Sequence, residues 1–185
     1  MKTMVRSWNV GRKDRVRAAV VSDAHAIARV HVESWKTTYA GIFPEALLND
    51  LSIEKREQFW AEELGKPRGG SVTFVALDDS GEIVGFVSGG PERTGELGCD
   101  GELYAIYLLE RAQRRSLGTL LAKRLARELI SRGSESMAVW VLAENPFRNF
   151  YEALGGKLIR EQTIERWGQE FIEVAYGWND LAAFE

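Results

Sequence analysis

The sequence contains few residues of the types that form disulfides or bind metals. Among its 185 residues there is one cysteine, Cys99, and there are two histidines, His25 and His31. A single cysteine excludes a disulfide within the chain and agrees with a reducing compartment. One cysteine and two histidines also make a poor set of metal ligands, and neither histidine is an obvious partner for a catalytic thiol. We therefore predict neither a metal site nor thiol catalysis.

Long apolar runs and a strong excess of one charge are missing as well. No run approaches the ~20 apolar residues that span a bilayer, and a net charge of −3 gives no field that would draw the chain to nucleic acid or anionic lipid. The polar, basic start lacks the apolar core of a secretory signal. We therefore expect a cytoplasmic protein without membrane or nucleic-acid partners, in which residues 1–13 are a loose extension and residues 14–185 form one domain.

The composition that remains is that of an ordinary globular protein, 45% hydrophobic and 28% charged. Alternating and buried apolar runs predict strands over residues 16–21, 71–77, 82–88, 102–109, 137–142, 157–165 and 171–178. Helical periodicity predicts helices over residues 24–37, 45–51, 53–64, 117–132 and 147–154, and a glycine-rich loop is predicted over 89–101. Hairpins at both ends and a crossover in the middle indicate a mixed α/β fold. It would have one mixed sheet of about seven strands flanked by about four helices, in the order β-α-α-β-β-β-α-β-α-β-β.

The turn between the fourth predicted strand and the following helix carries the sequence QRRSLGT, at residues 113–119. Backbone N–H groups converge unpaired at the start of a helix, where the helix dipole is positive, so such a turn suits a phosphate-bearing ligand. A Walker loop would need Gly-Lys-Ser/Thr and a dinucleotide site would need G-x-G-x-x-G, and the turn has neither. The pattern that remains is Gln-x-x-Ser-x-Gly, which taken alone also fits a plain turn.

This pattern resembles the Gln/Arg-x-x-Gly-x-Gly/Ala motif of the GNAT superfamily of acyl-CoA-dependent N-acetyltransferases. By element order the resemblance covers about residues 14–180. Residues 24–51 look like the first helices of that family and residues 102–121 look like its central motif. Asn145-Pro146 and FYEALGG, at residues 150–156, look like the block after its fifth strand. The resemblance implies the GNAT fold and the transfer of an acetyl group from acetyl-CoA to an amine.

The resemblance also implies where acetyl-CoA binds. Backbone amides of residues 114–119 would cradle its pyrophosphate, and the preceding strand would part from its neighbour near Leu108 and pair with the pantetheine arm. Ser116 stands where the family has its first glycine, and if that position needs positive φ, serine costs roughly 1 kcal/mol there. Asn145 would hold cofactor or backbone at the gap, or alternatively cap the next helix. The predicted cofactor-binding residues are Leu108, Gln113, Arg114, Arg115, Ser116, Leu117, Gly118, Thr119 and Asn145.

Catalytic roles follow from the same resemblance. Tyr151 would protonate the thiolate of coenzyme A as it leaves, unless it is simply a core residue of a short helix. Attack requires a neutral amine, although a lysine-like amine has a pKa of ~10.4. Glu102, at the start of the central strand where several relatives have a glutamate, is the candidate base. Alternatively, Glu102 is only an exposed carboxylate at the end of a strand, and a relay of water molecules takes the proton from the amine.

The acceptor side is less defined. In similar folds the loop after the first helix walls the acceptor pocket, which makes Trp35, Tyr39 and Phe43 candidate substrate-binding residues, or else ordinary core aromatics. We expect the acceptor to be a small-molecule primary amine, and family analogy allows a homodimer. Two alternatives remain: acetylation of a protein N-terminus or lysine, and an acyl-CoA-binding regulatory domain without turnover.

Overall fold

The computed structural model describes residues 15–184, so the loose extension predicted for residues 1–13 lies outside the described residues. Within the described range the chain forms one sheet of seven strands. In chain order they are β1 (Val16–Ala18), β2 (Val72–Leu77), β3 (Ile83–Pro91), β4 (Gly101–Leu108), β5 (Met137–Leu142), β6 (Lys157–Arg166) and β7 (Gln169–Trp178). The mixed sheet predicted from the sequence is confirmed.

The strands lie in the spatial order β1-β2-β3-β4-β5-β7-β6. Neighbouring strands run antiparallel except β4 and β5, which are parallel. A parallel pair needs a long crossover connection. That crossover contains a helix over residues 117–131, so it is the β-α-β unit predicted for the middle of the chain.

Five α-helices flank the sheet in the described range. They are α1 (Ala24–Thr38), α2 (Glu45–Asn49), α3 (Ile53–Gly65), α4 (Leu117–Ser131) and α5 (Asn149–Ala153). Single 3₁₀ turns occupy Val21–Asp23, Arg68–Gly70, Glu110–Ala112 and Leu181–Phe184. Each of the five helical segments predicted from the sequence is present, including the short α2, although the fold as a whole was expected to have about four helices.

Helices α1 and α4 cover opposite faces of the sheet. Tyr107 of β4 stacks on His31 of α1, with 5.2 Å between the ring centroids, whereas the next residue, Leu108, lies against Gly118 of α4. Successive side chains of a strand point to opposite faces. A ligand that passes through the sheet beside Leu108 would therefore meet α4 on one side and α1 on the other.

Helix α4 is held to the sheet by the leucine row that predicted it. Leu117, Leu121, Leu125 and Leu129 recur every fourth residue, and all four are buried. The row packs closely because Gly89 of β3 lies beneath it: a Cβ atom at that position would stand 2.6 Å from the Leu125 side chain.

The end of β3 differs from the prediction. The sequence indicates a loop from residue 89 onwards, but β3 runs on to Pro91, with Gly89 and Gly90 opposite Leu103 and Glu102 of β4. Glycine is depleted in strands, which is why the pattern indicated a loop. Here Gly89 lets α4 approach the strand closely and Gly90 leaves room for the Tyr104 side chain, while the ladder continues past a register shift between Ser88 and Gly89.

Strands β4 and β5 part soon after they meet. Among the described residues they pair at two positions, Gly101 with Met137 and Glu102 with Ala138. Beyond these positions β4 stays paired with β3 as far as Leu108, and β5 stays paired with β7 along its whole length. The facing edges of β4 and β5 therefore carry backbone groups that neither strand satisfies for the other, and a gap opens within the sheet.

The apolar interior has two parts. The larger lies between the sheet and the helices. The smaller joins the α1–α2 connection to the β6–β7 hairpin. We call it the hairpin cluster, and its members are Tyr39, Phe43, Leu48, Leu142 and Phe171.

Candidate active site

A cleft with a cavity volume of about 390 Å³ lies beside the end of β4, between that strand and the segment that follows β5. The described residues that line it are Ser34, Thr38, Ile106, Tyr107, Leu108, Gln113, Arg114, Ser116, Gly118, Thr119, Asn145, Pro146, Phe147, Phe150 and Tyr151. The cleft thus brings most of the residues predicted to bind the donor together with the predicted acid.

The turn before α4 has the backbone conformation of an anion-binding nest. Arg114 and Ser116 have positive φ angles, 57° and 62°, and Ser116 immediately precedes the first residue of α4. Left-handed residues in a tight turn aim successive N–H groups toward a common point, and the unpaired N–H groups at the start of α4 add to them. The position where serine replaces glycine does require positive φ, so serine costs roughly 1 kcal/mol here.

Gln113 joins this nest to the end of β4. Its Nε2 donates to the Leu108 carbonyl oxygen over 3.2 Å, so this side chain holds the strand end beside the turn. Two other predicted donor residues, Arg115 and Leu117, are not among the described residues that line the cavity. Arg115 is exposed, and Leu117 is packed in the core, so the backbone N–H group is the part of Leu117 that a ligand could reach.

Tyr151 forms part of the cleft wall on α5. Its ring stacks on Tyr176 of β7, with 6.0 Å between the centroids, and the Tyr176 hydroxyl donates to Glu152 of the same helix over 2.6 Å. Burial raises the pKa of the Tyr151 phenol well above its ordinary value. The phenol is therefore protonated at neutral pH and has a proton to donate into the cleft.

Asn145 makes two contacts beside the cleft. Its Oδ1 accepts a hydrogen bond from the Phe147 backbone N–H over 2.8 Å, which stabilises the turn that leads to α5. Its Nδ2 donates to the Tyr39 hydroxyl over 3.3 Å. Asn145 therefore has a local capping contact and also links the end of β5 to the α1–α2 connection.

Glu102 lies away from the cleft. The residue is 1% exposed, and Arg93 holds its carboxylate: Nε donates to Oε2 over 2.9 Å, Nη2 donates to Oε1, and the Arg93 backbone N–H donates to Oε2 over 3.2 Å. At ~3.3 Å per residue, roughly 20 Å of strand separate Glu102 from Leu108. Glu102 is not among the described residues that line the cavity. The structure therefore does not bring the predicted base to the predicted acid.

Trp35, Tyr39 and Phe43 form a cluster of rings in which Trp35 meets Tyr39 edge-on and Tyr39 stacks on Phe43. The centroids are 5.1 Å apart for Trp35 and Tyr39 and 4.7 Å apart for Tyr39 and Phe43. Phe43 meets Trp167, between β6 and β7, edge-on at 5.0 Å. None of the three predicted acceptor residues is among the described residues that line the cavity. Tyr39 approaches it through Asn145, and burial raises the pKa of the Tyr39 phenol.

The cleft residues of α1 were missed by sequence reasoning. Ser34 and Thr38 line the cavity together with Tyr107 of β4. Their spacing was a readable signal, because two small hydroxyl residues four positions apart fall on one face of a helix.

None of the helices in residues 15–184 combines the length and the apolar character needed to cross a bilayer. In the same range, no three or more His, Cys, Asp and Glu side chains gather into a group that could hold a metal ion.

Comparisons with known proteins match this arrangement. A model of FR47-like proteins matches residues 96–166, which include β4, the nest and β5. An uncharacterized N-acetyltransferase of Bacillus subtilis (strain 168) is 43% identical over 170 residues, which are 92% of this chain and 95% of that protein. A protein of Mycobacterium tuberculosis named as a probable N-acetyltransferase is 31% identical over 144 residues, 75% of this chain and 76% of that protein.

A solved structure has the same fold at low sequence identity. The PaiA N-acetyltransferase from Thermoplasma acidophilum, in complex with coenzyme A, superimposes with a TM-score of 0.66 at 21% identity, over 86% of this chain and 96% of that chain. The fold and the cleft define an acyltransferase. Together with the near full-length relative from Bacillus subtilis, they place the chain in its family: it belongs to the GNAT superfamily of N-acetyltransferases.

Proposed function

We propose that this protein transfers an acetyl group from acetyl-CoA to the primary amine of a small molecule, by direct attack within a ternary complex. The observation that carries the proposal is the meeting, in one cleft, of a backbone nest, a free strand edge and a buried phenol. These features correspond to the pyrophosphate, the pantetheine amides and the thioester sulfur of the donor. The coenzyme A complex of the Thermoplasma acidophilum protein agrees with this choice of donor.

In this proposal the donor is held mainly by backbone groups. N–H groups of residues 114–119 bind the pyrophosphate, and the pantetheine amides pair with the free edge of β4 like an added strand. Gly118 supports this arrangement by having no side chain: a Cβ atom there would meet Leu108 and Phe150 at 3.3 Å. The absence of a Cβ atom at Gly118 leaves space between α4 and the end of β4.

The reaction moves one acyl group and two protons. The neutral amine nitrogen bonds to the thioester carbonyl carbon, and backbone N–H groups near Leu108 stabilise the developing oxyanion. As the C–S bond breaks, the sulfur takes the Tyr151 proton. The proton lost from nitrogen passes to water, from which Tyr151 is reprotonated, and the products are an amide and the coenzyme A thiol.

Water, rather than Glu102, receives the amine proton in this proposal. The Glu102 carboxylate already accepts hydrogen bonds from the side chain and the backbone of Arg93, so both of its oxygens are engaged by a residue that is not among the described lining of the cleft. Its distance from the cleft supports the same choice. Of the two proton acceptors that the sequence left open, the water relay fits the geometry better.

The size of the cleft supports a small acceptor. The cavity of about 390 Å³ has to accept the pantetheine arm as well as the acceptor. Behind it, the contact between Phe43 and Trp167 closes the side toward the β6–β7 hairpin. A compact primary amine suits the space that remains, whereas a protein segment would need an open groove.

Release of free thiol from acetyl-CoA tests the proposal. The purified protein is given acetyl-CoA and, in turn, butylamine, phenethylamine, glycinamide, a polyamine, and peptides with a free N-terminus or lysine. We expect thiol release with at least one small amine, background rates with the peptides, and a higher melting temperature with acetyl-CoA alone.

Each other result has its own meaning. Thiol release with peptides alone would contradict the small-molecule acceptor. Stabilisation by acetyl-CoA without turnover of any amine would indicate a regulatory domain. A melting temperature unaffected by acetyl-CoA would contradict the donor site.

A further inference from the structure

Ser34 carries a buried hydroxyl without a partner. The residue is 2% exposed, and its Oγ has no hydrogen-bond partner among the residues that the structure describes. Hydroxyls inside helices often bond to a carbonyl one turn earlier, and Thr37 of the same helix does so, with the Glu33 carbonyl oxygen at 3.2 Å. Burying an unpaired hydroxyl destabilises a fold. Its position at Ser34 therefore points to a partner that arrives with a ligand.

Ser34 lines the cleft from the side opposite the nest. It shares the cavity with Tyr107 and Tyr151, and it belongs to α1, whereas the nest precedes α4 on the other face of the sheet. A donor with its pyrophosphate at the nest extends through the gap toward α1. Its thioester end therefore approaches the side of Ser34, which is also the side left for the acceptor.

Building on the proposed function, we propose that Ser34 binds the reacting amine of the acceptor. Its Oγ accepts a hydrogen bond from one N–H of the neutral amine, which leaves the lone pair free to attack and the second N–H free to lose its proton. The amide formed from a primary amine keeps one N–H and so keeps this contact. A secondary amine has a single N–H, which the reaction removes, so Ser34 selects primary over secondary amines.

Ser34→Ala separates this role from a structural one. We expect kcat/KM for the best primary amine of the panel to fall about tenfold, the effect of one lost hydrogen bond, with acetyl-CoA affinity unchanged. The preference for that amine over its N-methyl derivative should shrink. The melting temperature should stay the same or rise, because the variant loses an unpaired buried hydroxyl.

Ser88→Ala is the matched control. Ser88 is also buried, but its Oγ accepts from Thr73 Oγ1 over 3.1 Å, and it is not among the described residues that line the cleft. Removing a paired hydroxyl should lower the melting temperature and leave the amine kinetics unchanged. Ser34→Ala is therefore expected to change the amine kinetics without lowering the melting temperature, and Ser88→Ala to lower the melting temperature without changing the amine kinetics.

Three results would overturn the inference while leaving the proposed function intact. The first is a melting temperature that falls as much in Ser34→Ala as in Ser88→Ala. The second is an unchanged kcat/KM for the amine in Ser34→Ala. The third is weaker acetyl-CoA binding by Ser34→Ala with an unaltered preference for primary amines. The last result would place Ser34 on the donor instead. Absence of thiol release by the unmodified protein with every amine would contradict the proposed function itself, and this inference with it.

Discussion

The two halves of the cleft are built from different groups. In the proposed function the donor half is backbone: the nest at residues 114–119 and the free edge of β4. The proposed acceptor half is made of side chains from distant segments, with Ser34 and Thr38 of α1 in the cavity and the hairpin cluster behind them. One half therefore depends on chain conformation, and the other depends on residue identity.

This difference explains why the donor half can be recognised from a short motif. A few residues set the conformation of a turn, and the nest forms even though Ser116 replaces a glycine, because serine adopts the left-handed conformation at modest cost. Recognition by side chains has no such tolerance, since each substitution changes shape and hydrogen bonding. Donor binding should therefore survive substitutions that change or abolish transfer.

The largest expected effect comes from removing the acid at the border of the two halves. Tyr151→Phe should lower kcat by about 10²–10⁴-fold and leave acetyl-CoA affinity unchanged, because the donor is held by backbone. Thiol release and titration calorimetry measure the two quantities. Because burial raises the pKa of Tyr151 above its ordinary value, the unmodified protein should keep its rate on the alkaline side beyond about pH 10, where an ordinary tyrosine ionises.

Tyr176→Phe is the control for this variant. It removes a hydroxyl that donates to Glu152 behind Tyr151, from a residue that is not among the described lining of the cleft. Its kcat should change little. A parallel loss of donor affinity in Tyr151→Phe would break the division between the halves.

Acid should destabilise the fold through His31, on the same helix as Ser34. His31 packs against the rings of Trp35 and Tyr107, and burial together with the nearby Arg56 guanidinium lowers its pKa from 6.5 to about 3. The unfolded chain binds a proton near pH ~6.5 that the folded chain does not bind until about pH 3. As the pH is lowered from ~6.5 toward about 3, the free energy of unfolding should therefore fall by about 1.4 kcal/mol for each pH unit.

Urea unfolding at a series of pH values from neutral to mildly acid measures this slope. His31→Gln should flatten it. A slope in His31→Gln equal to that of the unmodified protein would show that other groups cause the acid sensitivity.

The smallest expected effect concerns the donor half. Ser116→Gly should raise the free energy of unfolding by about 0.5–1 kcal/mol, because relief of the left-handed strain outweighs the flexibility of glycine. Coenzyme A affinity should change little, since the amides remain. Urea unfolding and calorimetry provide the readouts. Ser131→Gly, at the last residue of α4, should have the opposite sign for stability.

A clear loss of coenzyme A affinity in Ser116→Gly would change the comparison between the two halves of the cleft. It would mean that the serine hydroxyl contacts the donor, so that the donor half also uses a side chain.

Local patterns made one part of the molecule predictable. The alternation along β4, the QRRSLGT turn and the leucine row of α4 are all readable within residues 102–132, and the structure confirms these elements. The nest could be predicted with them because it depends on the start of a helix, which sequence signals mark well.

Long-range contacts made the rest unpredictable. Phe43 and Phe171 meet edge-on at 5.2 Å although they lie in opposite halves of the chain, and no local pattern pairs them. A glutamate at a strand start reads the same whether it is exposed or, like Glu102, held by Arg93. A serine in a helix likewise gives no sign of whether its hydroxyl has a partner, so Ser34 needed coordinates.

The pairing of β4 with β5 at two positions has a consequence for the stability and the abundance of the protein in the cell. In the proposed binding mode, a donor lying between these strands would supply hydrogen bonds to edges that the chain leaves open, so it would bind the folded state and not the unfolded one. At a donor concentration about a hundredfold above Kd, such binding adds roughly 2.7 kcal/mol of stability. When acetyl-CoA becomes scarce, a larger fraction of the protein would unfold and be degraded. We therefore expect the abundance of this enzyme to follow the supply of its own acetyl donor.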